Sequence, residues 1–299
     1  MDYDFSVPQQ RFIAAADHVV DAVGGVERAF AVSAVAGYDR DLDRGLAEAG
    51  ALDGADLLER VLVAERLAEL GVATTYGLRG VVDIDDLLPP GGLAVAVRGR
   101  QGPVRYAAVA DHVVLIDGDD VIAVDDGTKS VTKVRSGFGY PYARIAAEGL
   151  DGARLKGLGE AWRSRLTLVT AAEIAGNAAA AIARTAAHMR VREQFGRTLS
   201  TFQALRHRLA EAAVSAEATR WMVREAAFTA DPRDIDLAAS YAAQTAAQLV
   251  PELVQMCGAR SFTLEFGLHV FTMRLDGLRL ELGGPDRLAA RVLAGETVR

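Results

Sequence analysis

The sequence has 299 residues, a length for one large domain or two to three small ones. Hydrophobic residues make up 51% and charged residues 24%, the balance of a folded chain rather than a disordered one. The net charge is -7, from 33 basic and 40 acidic residues, which argues against nucleic acid as a partner because phosphate binding needs a basic surface. A single cysteine, Cys257, excludes an internal disulfide framework and a Cys-rich zinc site. The start, Met1-Asp2-Tyr3-Asp4, is acidic and is not the basic, then apolar, start of a signal peptide. No apolar run is read as reaching the ~20 residues of a spanning helix. The longest, 166–182, is Ala-rich and carries Glu173 and Asn177. These features predict a cytoplasmic protein with no membrane partner.

Three zones follow along the chain: 1–88 helical, 89–137 β, and 138–299 helical. The class is therefore mainly α with a small β domain. In the first zone Pro8 suits the first turn of a helix, where its missing N–H costs nothing. Phe12, Ala15, Ala16, Val19 and Val23 then recur at helical spacing. A second helix is expected over 41–49. A third is expected over 56–70, with Leu58, Leu62, Leu67 and Leu70 near one side, ending at Gly71. Pro89-Pro90-Gly91-Gly92 breaks the pattern. Five short β-branched runs follow at 93–98, 104–109, 112–116, 121–124 and 131–135. Ser136-Gly137-Phe138-Gly139 reads as a linker. Long helices are expected over 158–194, 199–229 and 235–257, with shorter ones at 264–273 and 285–294. Long helices with short links predict an antiparallel bundle.

The most informative stretch is Arg192-Glu193-Gln194-Phe195-Gly196-Arg197-Thr198-Leu199-Ser200-Thr201-Phe202-Gln203. Gly196 suits the left-handed residue that ends a helix. Ser200 and Gln203 have the spacing of a capping box for the next one. Arg190, Arg192 and Arg197 favour the C-terminal end of the first helix. Such a corner can hold an anion such as a pyrophosphate. The same residues also make an ordinary capped helical hairpin with solvated arginines.

Arg192-x-Gln194-Phe195-Gly196, followed by Phe202-Gln203, resembles the flavin-binding corner of the acyl-CoA dehydrogenase family. Gln255-Met256-Cys257-Gly258-Ala259-Arg260-Ser261-Phe262 resembles that family's Q-x-x-G-G-x-G-F turn, and Met273-Arg274 resembles the arginine opening its next segment. The order of helices, β unit and bundle is also the family's order. The resemblance implies FAD as cofactor, with Arg192, Phe195, Gln203, Gln255 and Gly258 at its adenine and pyrophosphate end. Ala259 stands where the family has its second glycine, and its methyl would crowd a close phosphate approach.

The family removes an α-proton from an acyl-CoA thioester with a glutamate and passes a hydride to the flavin. Its two glutamate positions fall on Gly283 and Leu166 in this chain, and neither side chain accepts a proton. Glu281 is two positions early and Glu173 is about two turns, roughly 10 Å, beyond Leu166 along its helix. The family's T-E-P…G-S-D segment has no counterpart over 93–135; only 106–115 resembles a middle-domain strand. Shortened, base-less members occur in actinobacteria as one partner of α2β2 assemblies acting on bulky, steroid-derived CoA thioesters. The resemblance thus implies an FAD-sharing subunit whose homologous full-length partner supplies the base. Two alternatives stay open: a homo-oligomeric enzyme using Glu281 or Glu173, and a flavin-free scaffold. Glu265 is expected to order the Gln255 turn. His18, His112, His188, His207 and His269 read as isolated surface or helix histidines, the Asp117–Asp120 and 125–127 clusters as turns, and Cys257 as a buried apolar residue.

Overall fold

A computed structural model describes residues 4–82, 84, 87–100, 102–125, 131–146, 150 and 152–296. The expected turn at 126–127 lies outside these residues. Helix α1 (Val7–Ala22) opens on a capping box made by Ser6 and Gln9, with Pro8 in its first turn. Helix α2 (Gly25–Ala34) follows at once, then α3 (Arg40–Glu48) capped by Asp39, α4 (Leu57–Glu69) capped by the Asp56–Glu59 box, and α5 (Tyr76–Val82). The sequence pattern misses α2 and α5 for different reasons. The first has no side-chain cap and is entered through Gly24 and Gly25, both at positive φ, which reads as a break. The second is seven residues long, contains two glycines and is buried all round, so it shows no amphipathic period.

The β unit has two sheets. Strands β1 (Leu93–Val97), β3 (His112–Asp117), β4 (Asp120–Asp125) and β7 (Ala153–Leu155) form one, in the order β1-β3-β4-β7. β1 runs parallel to β3, with Leu93 opposite His112, and the other pairings are antiparallel. Strands β2 (Val104–Arg105), β6 (Tyr142–Ile145) and β5 (Val131–Val134) form the second sheet. Alternation along β1 and β3 divides the core. Leu93, Val95, Val114 and Ile116 pack with the helices, while Ala94, Ala96, Val113 and Leu115 join the cluster that includes Ala143 of β6. Both faces are covered, which is why these strands read as continuous apolar runs. Two expectations are corrected. The run at 104–109 is a strand only over Val104–Arg105 and then turns. The expected end of the β unit at 137 falls inside the sheet pairing, because β6 and β7 follow it.

Helix α6 (Gly159–Val191) is the centre of the C-terminal bundle and packs on α8 (Pro232–Cys257), α4, α9 (Leu268–Glu281) and α7 (Gln203–Thr229). Helix α10 (Pro285–Glu296) lies against α8. A Cβ at Gly176 would collide with the backbone carbonyl of Glu65, so glycine lets α6 and α4 touch. Fully buried side chains such as Leu168 and Ile174 each contribute roughly 1.5–3 kcal/mol. By length and composition α6 is apolar enough to cross a membrane, contrary to the sequence reading, but 72% of its most apolar window is buried inside the fold. That is the setting of a core helix.

Candidate functional site

The two motifs that resemble the flavin-binding segments share one end of the bundle. Helix α7 begins where the antiparallel α8 ends, and the Arg208 Nε donates to Glu252 Oε2 at 2.7 Å between them. The corner itself differs from the capped hairpin expected. Helix α6 ends at Val191, and Arg192 leaves it in extended conformation. Strands β8 (Glu193–Gln194) and β9 (Arg197–Thr198) then form a hairpin around Phe195 and Gly196. Both turn residues have positive φ, 55° and 78°, as a two-residue hairpin turn requires. Gly196 therefore serves a β-turn and does not end the helix. The Ser200–Gln203 capping box is absent too, since 199–201 form a 3-10 turn and α7 has no side-chain cap.

Phe195 pays for this turn in backbone strain and gains no burial: it is 92% exposed. Its ring meets Phe202 edge-on at 6.2 Å, and the Arg197 guanidinium lies 4.1 Å from the Phe202 ring. Arg192, Gln203, Gln255 and Gly258 are exposed. Among the described residues no carboxylate pairs with Arg192. The chemistry of this set fits an adenosine-pyrophosphate end: a cation without a counter-ion, two amides and a bare aromatic face. Cys257, beside the Gln255 turn, is buried, and burial pushes its thiol up; its Sγ lies 3.7 Å from Thr185 Oγ1. Glu265 is exposed.

A second constellation lies at the junction of the second sheet, α6 and α9. Arg105, the last residue of β2, has a side chain only 2% exposed. Its Nη1 donates to Glu173 Oε1 at 2.9 Å, its Nη2 lies 2.7 Å from Glu173 Oε2, and its Nε donates to Glu281 Oε2 at 3.0 Å. The two displaced glutamates, 108 positions apart in sequence, thus meet on one guanidinium. Tyr106 and Tyr140 lie beneath that guanidinium, 5.3 and 5.0 Å from their ring centres. Burial alone would lower Arg105, but Glu173 and Glu281 hold it well above its ordinary value. Burial pushes Glu173 up against the pull of Arg105. Glu281, Arg105, Phe138 and Tyr142 also border a cavity of about 240 Å³. Arg274 is buried nearby, donating to Val72 O at 3.0 Å and Ser33 Oγ at 2.7 Å, with Tyr140 4.8 Å from its guanidinium.

Leu166 is buried in α6, and Gly283 sits at φ 86° just past α9. Arg105 is the residue that sequence reasoning missed. Its signal was weak: an arginine within an apolar run, with no local partner. The histidine reading needs correction at His112, which is buried on β3; His188 and His269 are buried too but lie on helices α6 and α9. Among the described residues no group of three or more His, Cys, Asp or Glu side chains could hold a metal ion.

Helices, β unit and bundle in this order, with these motifs at one end of the bundle, define an acyl-CoA dehydrogenase fold. Residues 164–295 match the family described as "Acyl-CoA dehydrogenase, C-terminal domain". The chain is 28% identical over 279 residues to the acyl-CoA dehydrogenase IpdE2 of Mycolicibacterium smegmatis, covering 87% of this chain and 89% of that protein. Among solved structures it resembles the ChsE4-ChsE5 complex from Mycobacterium tuberculosis, with a TM-score of 0.84 at 21% identity and full coverage of both chains. It also resembles the Tcur3481-Tcur3483 steroid ACAD, with a TM-score of 0.83 at 19% identity, covering 98% of this chain and 99% of that one. At these identities the solved structures speak for the fold alone. The match supports an oxidoreductase activity, and the acyl-CoA dehydrogenase family generally uses FAD.

Proposed function

We propose that this chain is an FAD-sharing subunit of a cytoplasmic acyl-CoA dehydrogenase whose catalytic glutamate comes from a homologous, full-length partner in an α2β2 assembly. One observation carries the reading. The positions equivalent to the family's base are Gly283 and Leu166, and the two nearest substitutes, Glu173 and Glu281, are both held by Arg105. A carboxylate oxygen engaged by a buried guanidinium must break that contact before it can reach a carbon-bound proton, which makes it a poorly placed base. Arg192, Phe195, Gln203, Gln255 and Gly258 hold the adenosine end of FAD presented by the partner. Their exposure, unexplained within one chain, supports such sharing. FAD, when bound, supplies the hydride acceptor. Two structural relatives are two-component complexes by their names, and one is a steroid enzyme. These names support a partner subunit and a bulky acyl group, a steroid-derived one among them.

A second reading rests on Glu281, which borders the 240 Å³ cavity as well as Arg105. If substrate displaced Arg105, Glu281 would act as a shifted base in a homo-oligomer. Co-expression with a full-length family member decides between them. Co-purification as a yellow complex, active when Glu281 is replaced by Gln, supports the two-component enzyme. A yellow, active protein purified alone, inactive as Glu281→Gln, supports the second reading. A colourless protein that takes no partner overturns both.

A further inference from the structure

A second cavity, of about 560 Å³, opens between α2, α6 and α9. None of the five residues assigned above to FAD lines it, and neither do Glu173 or Glu281. Its floor is apolar: Ala180, Ala183 and Ala187 form a flat strip on α6, faced by Phe30, Phe266 and Phe271. The volume lies within the range of small-molecule sites, which runs from about 300 to 1,000 Å³.

Apart from Glu69, the charged and imidazole side chains lining this cavity among the described residues are cationic or have an unpartnered polar atom. Arg184 has its guanidinium 4.4 Å from the Phe30 ring centre and 5.8 Å from that of Phe271, and Nη1 donates to Phe266 O at 2.6 Å. No carboxylate among the described residues pairs with it, and burial lowers its pKa with no anion to oppose the effect. Arg260 lies over Phe266 at 5.3 Å, also without a carboxylate partner among the described residues. His188 lines the same space, is 5% exposed, and has a buried Nδ1 with no hydrogen-bond partner. The one lining carboxylate, Glu69, is already engaged, 3.2 Å from Arg66 and 3.8 Å from Arg220. A half-buried cation beside an unpaired buried imidazole, on apolar walls, is costly when empty and is compensated by an anion.

We infer that the α2–α6–α9 cavity, with Arg184, Arg260 and His188 at its polar side, binds a small apolar molecule carrying one carboxylate. The alanine strip and the three phenylalanines take the hydrocarbon, and the two guanidiniums take the charge. This site goes beyond the function proposed above and does not depend on it, because it needs neither FAD nor a catalytic base.

The test uses the full chain, alone and in complex with its partner subunit. Anilinonaphthalene sulfonate serves as a fluorescent probe, decanoate as the carboxylate competitor and decanol as its neutral control. One saturable probe site is expected, displaced by decanoate at about tenfold or more lower concentration than by decanol, the size of a charge-assisted contact. Arg184→Met should weaken decanoate by a similar factor and Arg184→Lys by less. Ala187→Leu, which narrows the strip without touching a polar group, should weaken probe and decanoate together, and it covers the case in which Arg184→Met fails to fold. FAD should not compete. Equal competition by decanoate and decanol, or unchanged affinity in the folded variants, overturns the inference. So does displacement of the probe by the partner subunit without any effect of decanoate, which would make the cavity a protein contact.

Discussion

Arg105 grips Glu173 at two points, Nη1 to Oε1 at 2.9 Å and Nη2 to Oε2 at 2.7 Å, across the junction between the β unit and α6. The same guanidinium reaches Glu281 through Nε, so one cation serves two carboxylates on two helices, Glu173 buried and Glu281 half-buried. Removing it leaves both uncompensated. Arg105→Met should therefore lower stability by about 3–5 kcal/mol, the usual cost of breaking a buried ion pair from one side. Glu173→Gln alone should cost less, and adding it to Arg105→Met should recover part of the loss. Denaturant unfolding of the two singles and the double gives the coupling; strictly additive losses would contradict the pairing.

The same geometry bears on turnover. If the base resides in the partner, Glu173→Gln and Glu281→Gln should each leave the rate of the reconstituted complex within a few-fold of the parent. Loss of a positioned base costs about 10²–10⁴-fold. Steady-state turnover with an artificial electron acceptor, with flavin content and assembly checked in parallel, separates the outcomes. A collapse for either variant with both checks normal would place the base in this chain.

Arg192 tests the other end of the bundle. It is exposed and no carboxylate among the described residues pairs with it, so Arg192→Ala should leave folding unchanged. The complex should purify with less FAD, for a lost charge-assisted contact of about 1.5–3 kcal/mol. Flavin absorbance per protein is the measurement, and an unchanged ratio would dismiss the assignment.

Asp43 sets a pH prediction. It is buried among Tyr38, Thr74 and Thr75, each of which donates to its carboxylate, and burial pushes it up to about 6 despite them. The folded state then holds a proton that the unfolded chain releases near pH 4. Stability should fall as pH rises from about 4 to about 6 and level off above, by roughly 2–3 kcal/mol. Asp39 and Asp111, whose burial is outweighed by their arginine and backbone hydrogen bonds together so that both are lowered in the fold, act in the opposite sense, losing stability as pH falls below the ordinary carboxylate range. The contribution of Asp43 is isolated by subtracting the curve of Asp43→Asn. A flat difference between pH 4 and 6 would contradict it.

Much of the fold was legible because its signals are local. Pro8, the Asp56–Glu59 box and Asp231-Pro232 mark helix ends through contacts within a few residues. β6 and β7 were not legible: each is only three or four residues long, and β7 becomes a strand by pairing with the distant β4, with Ala153 opposite Ala123. The Phe195 motif was legible as a resemblance, but its hairpin was not, since Ser200 and Gln203 have capping-box spacing without forming the box. The Arg105 cluster joins residues 68 and 176 positions apart, and nothing in a linear reading brings them together.

Phe195 joins stability to function most directly. A phenylalanine at φ 55° is held in a region where a β-carbon costs about 1–2 kcal/mol, and its 92% exposure returns no burial. Glycine adopts the same conformation without that cost. It also adds unfolded-state entropy and loses the edge-on contact with Phe202, which offsets part of the gain. Phe195→Gly should thus leave the isolated chain unchanged or stabilise it by up to about 1 kcal/mol. The same variant removes an aromatic face from the expected adenosine site, so the complex should hold less FAD. Thermal unfolding of the isolated chain and flavin retention of the complex through gel filtration provide the two readouts. A loss of stability above about 1 kcal/mol with flavin retained would make Phe195 a structural residue of the hairpin. Stability kept and flavin lost is the outcome expected of a strained side chain maintained for its ligand.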